Sequence, residues 1–563
     1  MLDVARRAFL GFVAVVVIFL ILNTGANAIT ISNVTNNTPM ATTVWILWNV
    51  SSEANNTVEY SVNPDLSNSF FSSWSNNTTT PMVKLWSLQP ATTYYYRTWS
   101  FNTSNESDYA NSSIYTLTTQ ECVSYRLVNV TDSSVTRIDH PMQEALDMIC
   151  LDGGIVELNN GTFNISSPIR IRENNITFRG QGIGATLIHV TAEDTDAIVI
   201  GRWDDWRKRC QDIDNNPYFW KPYGVKYPQD HENHPENWTD NTIIENFTID
   251  GLSTSTAFGY VGIGGAQLWN TCISSVEIIG DGEDHSCLIY LGAAVYPTVK
   301  DCEFKNGGRG AMFAVGSGTI KVINNLFYHC TFYDGLEFNG GLCCGDNLVK
   351  GNQFINGGGI EIYSSHDVVV TENVLENGYG SHGGIISSIS HDIVISKNIV
   401  KNSNYDEAAI RIGWAIYGGD VNISITNNLL FNNRDHGIFI RTDNQDRDWW
   451  ANLSLVLTSN TVVSSQKSGI FFGIDKDTSL AEATLRSHLR INSTIRNNIV
   501  VNNGEAGINS AQNIVVDEDG VKTVTGQDIE YNDVWNNTGD NYVDCDPGDN
   551  DTVSYTHLTL PTN

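Results

Sequence analysis

The chain has 563 residues, enough for more than one domain, and its 63 acidic against 32 basic side chains give a formal net charge of -31 at pH 7. This charge repels nucleic acid and anionic membranes across most of the surface, so the composition excludes both as general partners. The acidic residues are dispersed along the chain, which is typical of a solvated surface.

The first 28 residues follow the pattern of an export signal. Arg6 and Arg7 precede an apolar stretch at 8–22, and Ala26-Asn27-Ala28 matches a cleavage site for small residues. We expect cleavage after Ala28 and a secreted or cell-surface protein. An uncleaved membrane anchor is the alternative, and membrane contact is expected only through this segment, because the apolar stretch is slightly short for a span.

The composition of the remaining chain fits export. Twenty N-x-[ST] sequons occur, nine of them between Asn33 and Asn111, which is typical of an exported chain that carries glycans. Ten cysteines are present, and export permits disulfide bonds. We expect Cys122 to pair with Cys150, whereas the other pairings stay open.

Residues 29–119 alternate apolar and polar positions in short runs, for example from Thr43 to Trp48, which predicts an all-β sandwich. The run from Leu88 to Tyr94, L-Q-P-A-T-T-Y, resembles the tyrosine corner of fibronectin type III domains. Trp48 lies where that family places its core tryptophan. The resemblance implies a spacer or binding module rather than an active site.

A five-residue phrase, in which polar, apolar and polar residues occupy alternate positions, occurs nine times in the second half of the chain. Such repetition indicates a solenoid, because one unit cannot bury its apolar face alone but a stack can. We expect the asparagines to lie at interior turns, where their amides bind backbone groups of neighbouring coils. The copies are Cys302–Asn306, Asn325–His329, Asn352–Asn356, Asn373–Asn377, Asn398–Asn402, Asn428–Asn432, Asn460–Ser464, Asn498–Asn502 and Asn532–Asn536.

The segment before the repeats has the features of a capped solenoid end. Apolar residues at helical spacing in 140–149 predict an amphipathic helix, and short strands follow at 153–158 and 161–163. With the nine repeats, this segment resembles pectate-lyase-like proteins, which implies a right-handed, single-stranded parallel β-helix over residues 120–545. The fold class is therefore all-β, with carbohydrate implied as ligand or substrate.

A second phrase recurs in successive coils, for example Gly335-Leu-Glu-Phe338 and Gly359-Ile-Glu-Ile362. It predicts a strand whose alternate side chains point outward. Glu337 and Glu361 should be neighbours on adjacent coils, with Arg411 two coils beyond. Two close carboxylates can divide acid and base roles, and an arginine beside them can bind an acidic sugar. An exposed charge ladder without catalytic function is the alternative. The outward residues are Glu337, Glu361, Ile386, Arg411, Phe439 and Phe471.

This strand also resembles, in part, the active-site motifs of polygalacturonase-type glycoside hydrolases. Asp334 to Glu337 matches the end of one motif, and Arg411-Ile412 matches the start of another. The positions of the family's paired aspartates, however, are occupied here by Gly357 and Gly358. His382 is displaced by one position from the family's histidine. The family's inverting hydrolysis therefore does not carry over.

A polyuronate lyase or epimerase is a further alternative. Such an enzyme needs a base, an arginine or lysine side chain, and usually calcium. The residues that fit the first two requirements are His382, Glu361 and Arg411. No cofactor is certain, calcium stays open, and no metal ligands are assigned. Ser365-His366-Asp367 and Ser390-His391-Asp392 recur 25 residues apart, and we interpret them as turns rather than metal ligands.

Two segments depart from the repeat. An aromatic insertion at 203–240, with Trp203, Trp206 and Trp220, is either a ligand-binding lip or a self-packed lid. The irregular tail at 546–563 ends in a sequence that resembles translated adapter DNA.

The sequence thus predicts an exported protein that binds a polysaccharide, through Asp334, Phe439, Phe471 and the insertion's tryptophans, and that cleaves or modifies it. A non-catalytic adhesion protein is the rival hypothesis. A metal-handling helper ranks last, because the chain has six methionines and no clustered Cys/His pattern.

Overall fold

A computed structural model describes most of the chain. The described residues are 28–103, 105–130, 139–203, 231–232, 235–253, 260–282, 287–308, 310–330, 335–339, 345–380, 383–388, 390–413, 419–441, 450–473, 488–510, 523–543, 545, 547 and 550–551. The chain folds into two units, one comprising residues up to 126 with 144–151 and the other the remainder. Within the described part, no helix is both long and apolar enough to cross a membrane. The expected signal and the end of the tail lie outside the described residues.

The N-terminal unit contains two antiparallel sheets, as the alternation predicts. The three-stranded sheet comprises β1 (Ile31–Asn36), β2 (Val44–Val50) and β6 (Met82–Leu85). The six-stranded sheet comprises β3 (Ala54–Ser61), β4 (Phe70–Phe71), β5 (Ser75–Thr78), β7 (Thr93–Asn102), β8 (Asn105–Asn111) and β9 (Tyr115–Thr118).

One hydrophobic cluster joins the two sheets. Trp48 from β2 and Tyr96 from β7 are buried in it, so the predicted core tryptophan is confirmed. The hydroxyl of Tyr94 accepts a hydrogen bond of 2.9 Å from the backbone N–H of Gln89, which closes the corner that the run Leu88 to Tyr94 predicts. The disulfide between Cys122 and Cys150 is also confirmed.

The predicted helix before the solenoid is present as α1 (Pro141–Asp147), with Met142, Ala145 and Leu146 buried. Gln143 reaches the first coil: its amide donates to the carbonyl of Arg170 at 3.2 Å and accepts from the Arg170 N–H at 2.7 Å. A short 3-10 turn, Pro235–Asn237, follows later in the chain.

Two parallel sheets form the solenoid. Among the described residues, sheet 1 has 25 strands: β10 (Tyr125–Val128), β11 (Gly154–Leu158), β12 (Gly161–Ile165), β14 (Ile176–Arg179), β15 (Thr186–Val190), β18 (Ile243–Asp250), β20 (Cys272–Ile279), β22 (Thr298–Lys300), β23 (Glu303–Lys305), β25 (Lys321–Ile323), β26 (Leu326–Tyr328), β28 (Asn347–Lys350), β29 (Gln353–Ile355), β31 (His366–Thr371), β32 (Val374–Glu376), β35 (His391–Ser396), β36 (Ile399–Lys401), β39 (Gly419–Thr426), β40 (Leu429–Phe431), β42 (Trp450–Thr458), β43 (Thr461–Val463), β45 (His488–Arg496), β46 (Ile499–Val501), β48 (Thr523–Glu530) and β49 (Asp533–Trp535).

Sheet 2 has 14 strands in the described part: β13 (Ile169–Ile171), β16 (Ile198–Gly201), β17 (Thr239–Asp240), β19 (Val261–Trp269), β21 (Cys287–Val295), β24 (Gly310–Val315), β27 (Leu336–Asn339), β30 (Ile360–Tyr363), β34 (Gly383–Ser388), β38 (Ala408–Ile412), β41 (His436–Arg441), β44 (Ile470–Gly473), β47 (Ile508–Asn509) and β50 (Tyr542–Val543). A further small parallel pair joins β33 (Tyr379–Gly380) to β37 (Asn404–Tyr405). A full coil of the repeat region thus supplies two strands to sheet 1 and one to sheet 2.

The repeated asparagines form a buried ladder inside the solenoid, as predicted. Each side-chain amide donates to the carbonyl oxygen of the next asparagine side chain at 2.9 to 3.1 Å. Each also donates to a backbone carbonyl of the preceding coil, so the polar atoms of the turns are paired. The ladder comprises Asn325, Asn352, Asn373, Asn398, Asn428, Asn460, Asn498 and Asn532.

The last residue of each phrase has a left-handed backbone conformation. Its φ angle lies between +52° and +57° in all nine copies, from Asn306 to Asn536. Asparagine tolerates this region better than most residues, because its short polar side chain binds the local backbone. The phrase therefore encodes a turn at both of its polar ends.

Candidate functional site

The outward side chains of sheet 2 form a continuous line, here called the outward column. Parallel pairing places Glu337 beside Glu361, Glu361 beside Ile386, and Ile386 beside Arg411. The column continues through Phe439 and Phe471. The predicted order of these residues is therefore the order in the structure, because the repeat fixes the register.

Glu337 and Glu361 are the adjacent carboxylates of the outward column. Glu337 is 5% exposed, and Glu361 is half-buried. Neighbouring strands lie about 4.8 Å apart, so the two side chains project from the sheet at nearly that separation. A carboxylate pair at such a spacing can act on one sugar linkage, one member as acid and the other as base or nucleophile.

Arg411 differs from the expectation that it binds a substrate. Its Nε lies 2.6 Å from Oε2 of Glu407, and the side chains are 2% and 9% exposed. The buried ion pair neutralises the arginine, so its position favours a structural role. The sequence held a signal for this partner: an even separation along a strand places two residues on the same face.

Phe439 and Phe471 form a packed ring cluster with His436. The His436 ring stacks on Phe471 at 4.4 Å between centroids, and Phe439 lies 5.4 Å from Phe471. Phe439 is only 4% exposed, so the predicted role as a sugar-stacking surface does not fit its burial. Phe471 is half-buried.

The same cluster holds a buried histidine, His436. Burial, and after it the charge of Lys467, lower the pKa of His436 to about 3. Lys467 in turn forms an ion pair of 2.6 Å with Asp435.

Trp203 is also buried, at 3% exposure. Its indole N–H donates to Asp196 at 2.9 Å, and its ring lies 5.0 Å from that of Tyr290. The ring packs so closely on Gly264 that a Cβ there would lie 2.6 Å from it. For Trp203, these contacts favour the lid interpretation over the ligand-binding lip. Four other predicted site residues, Asp334, His382, Trp206 and Trp220, lie outside the described residues.

A groove of about 570 Å³, which the sequence analysis missed, lies on the outer face of sheet 1. Aliphatic side chains form its floor, and acidic and amide side chains line one side. It crosses β28, β31, β35, β39 and β42. Its lining includes Asp346, Asp367, Asp392, Asn422, Leu348, Val369, Val394 and Val456.

The two predicted turn motifs lie beside this groove. His366 Nδ1 is 2.7 Å from Oδ2 of Asp367, His391 Nδ1 is 2.9 Å from Oδ2 of Asp392, and the imidazoles stack at 5.2 Å. Both aspartates have left-handed φ angles, +50° and +56°, which agrees with the turn interpretation. The amide of Asn422, and after it the ring of His391, hold the pKa of Asp392 below its usual value.

In the part of the chain that the structure describes, no three His, Cys, Asp or Glu side chains converge as metal ligands would.

One family model matches the chain, "Right handed beta helix region", over residues 286–451. The match covers the middle of the solenoid and agrees with the parallel sheets, so this unit is a right-handed parallel β-helix. A search of curated proteins finds no relative of this sequence.

Among solved structures, the chain is similar to three proteins of known activity. The catalytic domain of a GH87 alpha-1,3-glucanase, solved with tetrasaccharides, is 14% identical, with 89% of this chain and 99% of that chain covered and a TM-score of 0.47. A family 28 exopolygalacturonase of Yersinia enterocolitica is 10% identical, with 89% and 99% covered and a TM-score of 0.40. The A-module of a mannuronan C-5 epimerase of Azotobacter vinelandii is 14% identical, with 77% and 100% covered and a TM-score of 0.38. Likeness at this level carries no argument about the activity of this chain.

Proposed function

We propose that this chain is an exported β-helix protein that binds a polysaccharide at the end of the outward column formed by Glu337 and Glu361, and that it cleaves the polysaccharide with these two carboxylates. The observation that carries the proposal is the in-register pairing of these two carboxylates on adjacent strands. In this proposal the N-terminal unit is a fibronectin type III-like spacer or binding module of a secreted or cell-surface glycoprotein.

The spacing of the pair favours one type of cleavage. Retaining glycosidases place their carboxyl groups about 5 to 5.5 Å apart, whereas inverting enzymes need about 6.5 to 9.5 Å to admit a water molecule. Adjacent strands at about 4.8 Å match the shorter distance. One carboxyl would protonate the leaving oxygen while the other attacks the sugar carbon, and water would then release the product.

The roles of the two carboxylates follow from their surroundings. Glu337 is almost fully buried, and we assign it the role of proton donor. Glu361 is more exposed and is the better nucleophile of the pair. Arg411 is assigned no chemical step, because Glu407 neutralises it.

A direct test compares the exported protein with its Glu361→Gln and Glu337→Gln variants on neutral and acidic glycans. New reducing ends and unsaturated uronates would be measured together. We expect reducing ends without unsaturated uronates, and a loss of about 10³-fold or more in each variant, since each removes a reacting group.

Glu376→Gln is a matched control. Glu376 also lies on a strand of the solenoid, but its carboxylate faces Lys401 at 3.0 Å on the surface of sheet 1. Its loss should leave turnover unchanged. Unsaturated uronates in place of hydrolysis products would instead identify a lyase.

A non-catalytic adhesion protein is the second candidate. The groove on sheet 1 favours it, because a polysaccharide bound there would lie on a face that does not carry the outward column. Binding without turnover, unchanged in Glu361→Ala but weakened in Asp392→Asn, would overturn the enzyme proposal and support adhesion through the groove.

A further inference from the structure

Four aromatic side chains form a cluster on the outer face of the six-stranded sheet of the N-terminal unit. We call this cluster, Trp74, Trp99, Phe101 and Tyr109, the aromatic patch. Trp99 and Phe101 are nearly parallel, at 12° and 6.0 Å between centroids. Trp74 lies 5.5 Å from Phe101, and Tyr109 lies 5.7 Å from Trp99 and 5.8 Å from Phe101.

The patch is not part of the core of this unit. Along β7, Tyr96, Thr98 and Ser100 are buried against the other sheet, so Trp99 and Phe101 face the opposite side. Trp74 is 55% exposed and Tyr109 is 53% exposed. Single exposed apolar residues are common, but a contiguous exposed cluster marks a surface that another molecule covers.

Three glycosylation sequons converge on this patch. Asn111, in Asn111-Ser-Ser113, lies directly opposite Trp99 in the β7–β8 pairing. Asn55, in Asn55-Asn-Thr57, lies opposite Phe101 in the β3–β7 pairing. Directly paired residues of an antiparallel sheet bring their side chains within about 5.5 Å of each other.

Sequons also follow residues of the aromatic patch closely in the sequence. Asn111 follows Tyr109 by two positions, and Asn76, in Asn76-Asn-Thr78, follows Trp74 by two. Residues two apart on a strand share a face and lie about 6.5 to 7 Å apart. Asn76 and Asn111 are both exposed, so their amide nitrogens are accessible to a modifying enzyme.

We propose that the aromatic patch binds the protein's own N-linked glycan, attached at Asn111. The first sugars would lie flat on Tyr109, which is 53% exposed, since the negative face of an aromatic ring attracts the partly positive C–H bonds of a pyranose ring. Trp99 would contact the glycan only at its edge, because Phe101 stacks on its ring and the Arg97 guanidinium lies 4.7 Å from the ring centroid. A glycan at Asn111 would also exclude a protein partner or second copy from the same surface. The inference holds whether or not sheet 2 cleaves a polysaccharide.

Attachment is a group transfer that requires a lipid-linked oligosaccharide from the export pathway of the cell. The bond between sugar C1 and the lipid phosphate oxygen breaks, and C1 bonds to Nδ2 of Asn111. The lipid phosphate leaves with the electron pair of the broken bond, and the amide loses one proton to the transferase. No oxidation or reduction takes place.

The test uses the full chain, exported from a host that glycosylates N-x-[ST] sequons, and its Asn111→Gln variant. Peptide mass spectrometry reads both site occupancy and hydroxyl-radical labelling of aromatic residues. We expect Asn111 to be occupied. Labelling of Tyr109 should rise about twofold in the variant, because one face of its ring becomes exposed.

Asn49→Gln is the matched control, because Asn49 is an exposed sequon residue on β2, in the other sheet. Loss of that sequon should leave the labelling of the patch unchanged. An unoccupied Asn111, or an occupied Asn111 with unchanged labelling in the variant, would overturn the proposal. Equal protection of unglycosylated protein by a free oligosaccharide would also overturn it and would identify a site for an external glycan.

Discussion

The asparagine ladder and the outward column both run along the solenoid, but they differ in how often their residues repeat. The ladder has the same residue in eight consecutive coils, and seven of the copies donate to the next asparagine, whereas Asn532 at the end bonds to Asp551. The outward column changes in nearly every coil, from carboxylate to aliphatic, guanidinium and aromatic side chains. Repetition thus identifies residues that hold the coils together, whereas variation identifies positions that respond to local contacts or chemistry.

The comparison also shows that variation alone does not identify a binding surface. Arg411 and Phe439 are unrepeated, yet both are buried and engaged within the protein. Glu361 is unrepeated and partly accessible. Substitution of residues of each kind tests this difference between structural and accessible positions.

The largest effect is expected for Arg411→Met. This substitution keeps the volume but leaves the buried Glu407 carboxylate without its cation, which costs about 3–5 kcal/mol in the free energy of unfolding. Urea unfolding at neutral pH measures the loss. Adding Glu407→Leu should recover most of it, and a loss below about 1 kcal/mol in the single variant would show that the pair is solvated.

A smaller effect is expected for Asn398→Ala in the ladder. The side chain of Asn398 accepts hydrogen bonds from the N–H and the amide of Asn373 and donates to the Val370 carbonyl. The substitution leaves these buried groups unpaired, so we expect a loss of about 2–3 kcal/mol. The exposed Asn404→Ala is the control, expected within about 0.5 kcal/mol of the parent in urea unfolding. Equal losses for the two variants would contradict the structural role of the ladder.

The smallest effect, about 1.4 kcal/mol for each pH unit, is a pH dependence from His436. Its pKa is about 3 in the folded protein and about 6.5 when unfolded, so only the unfolded state gains a proton between these values. Stability from this residue is complete above pH 6.5 and falls by about 1.4 kcal/mol per pH unit below it. Unfolding of the parent and of His436→Phe, compared between pH 4.5 and 6.5, should show this slope only in the parent. The difference at pH 7.5 reports packing alone, and parallel pH profiles would contradict the buried neutral histidine.

Much of the fold follows from the sequence because the repeat fixes which residues occupy equivalent positions in successive coils. Aligning the phrases was sufficient to place Glu337 beside Glu361 and Arg411 two strands further. The two cysteines, Cys122 and Cys150, were correctly paired because they flank the start of the solenoid. The turn at the end of each phrase was likewise predictable from its asparagines.

The candidate site was less predictable, for a physical reason. Strand alternation tells which side of a sheet a residue faces, but burial depends on chain segments that are distant in sequence. Phe439 was assigned to the correct side and is nevertheless buried. The groove was missed because Asp346, Asp367 and Asp392 come together only when their coils stack. The sequence did show that Asp367 and Asp392 occupy the same position in successive repeats.

The coils of the solenoid change length most at one corner. Only Gly351 and Asn352 separate β28 from β29, and the equivalent turn has two residues in the later coils. Between sheet 2 and the following strand of sheet 1, in contrast, the connection grows from two residues before β31 to fourteen before β45. Strands β42 and β45 stay in register across the longest of these connections, so sequence can be added at this corner without shifting the strands. A protein built this way can acquire new specificity by insertion, without redesign of its frame.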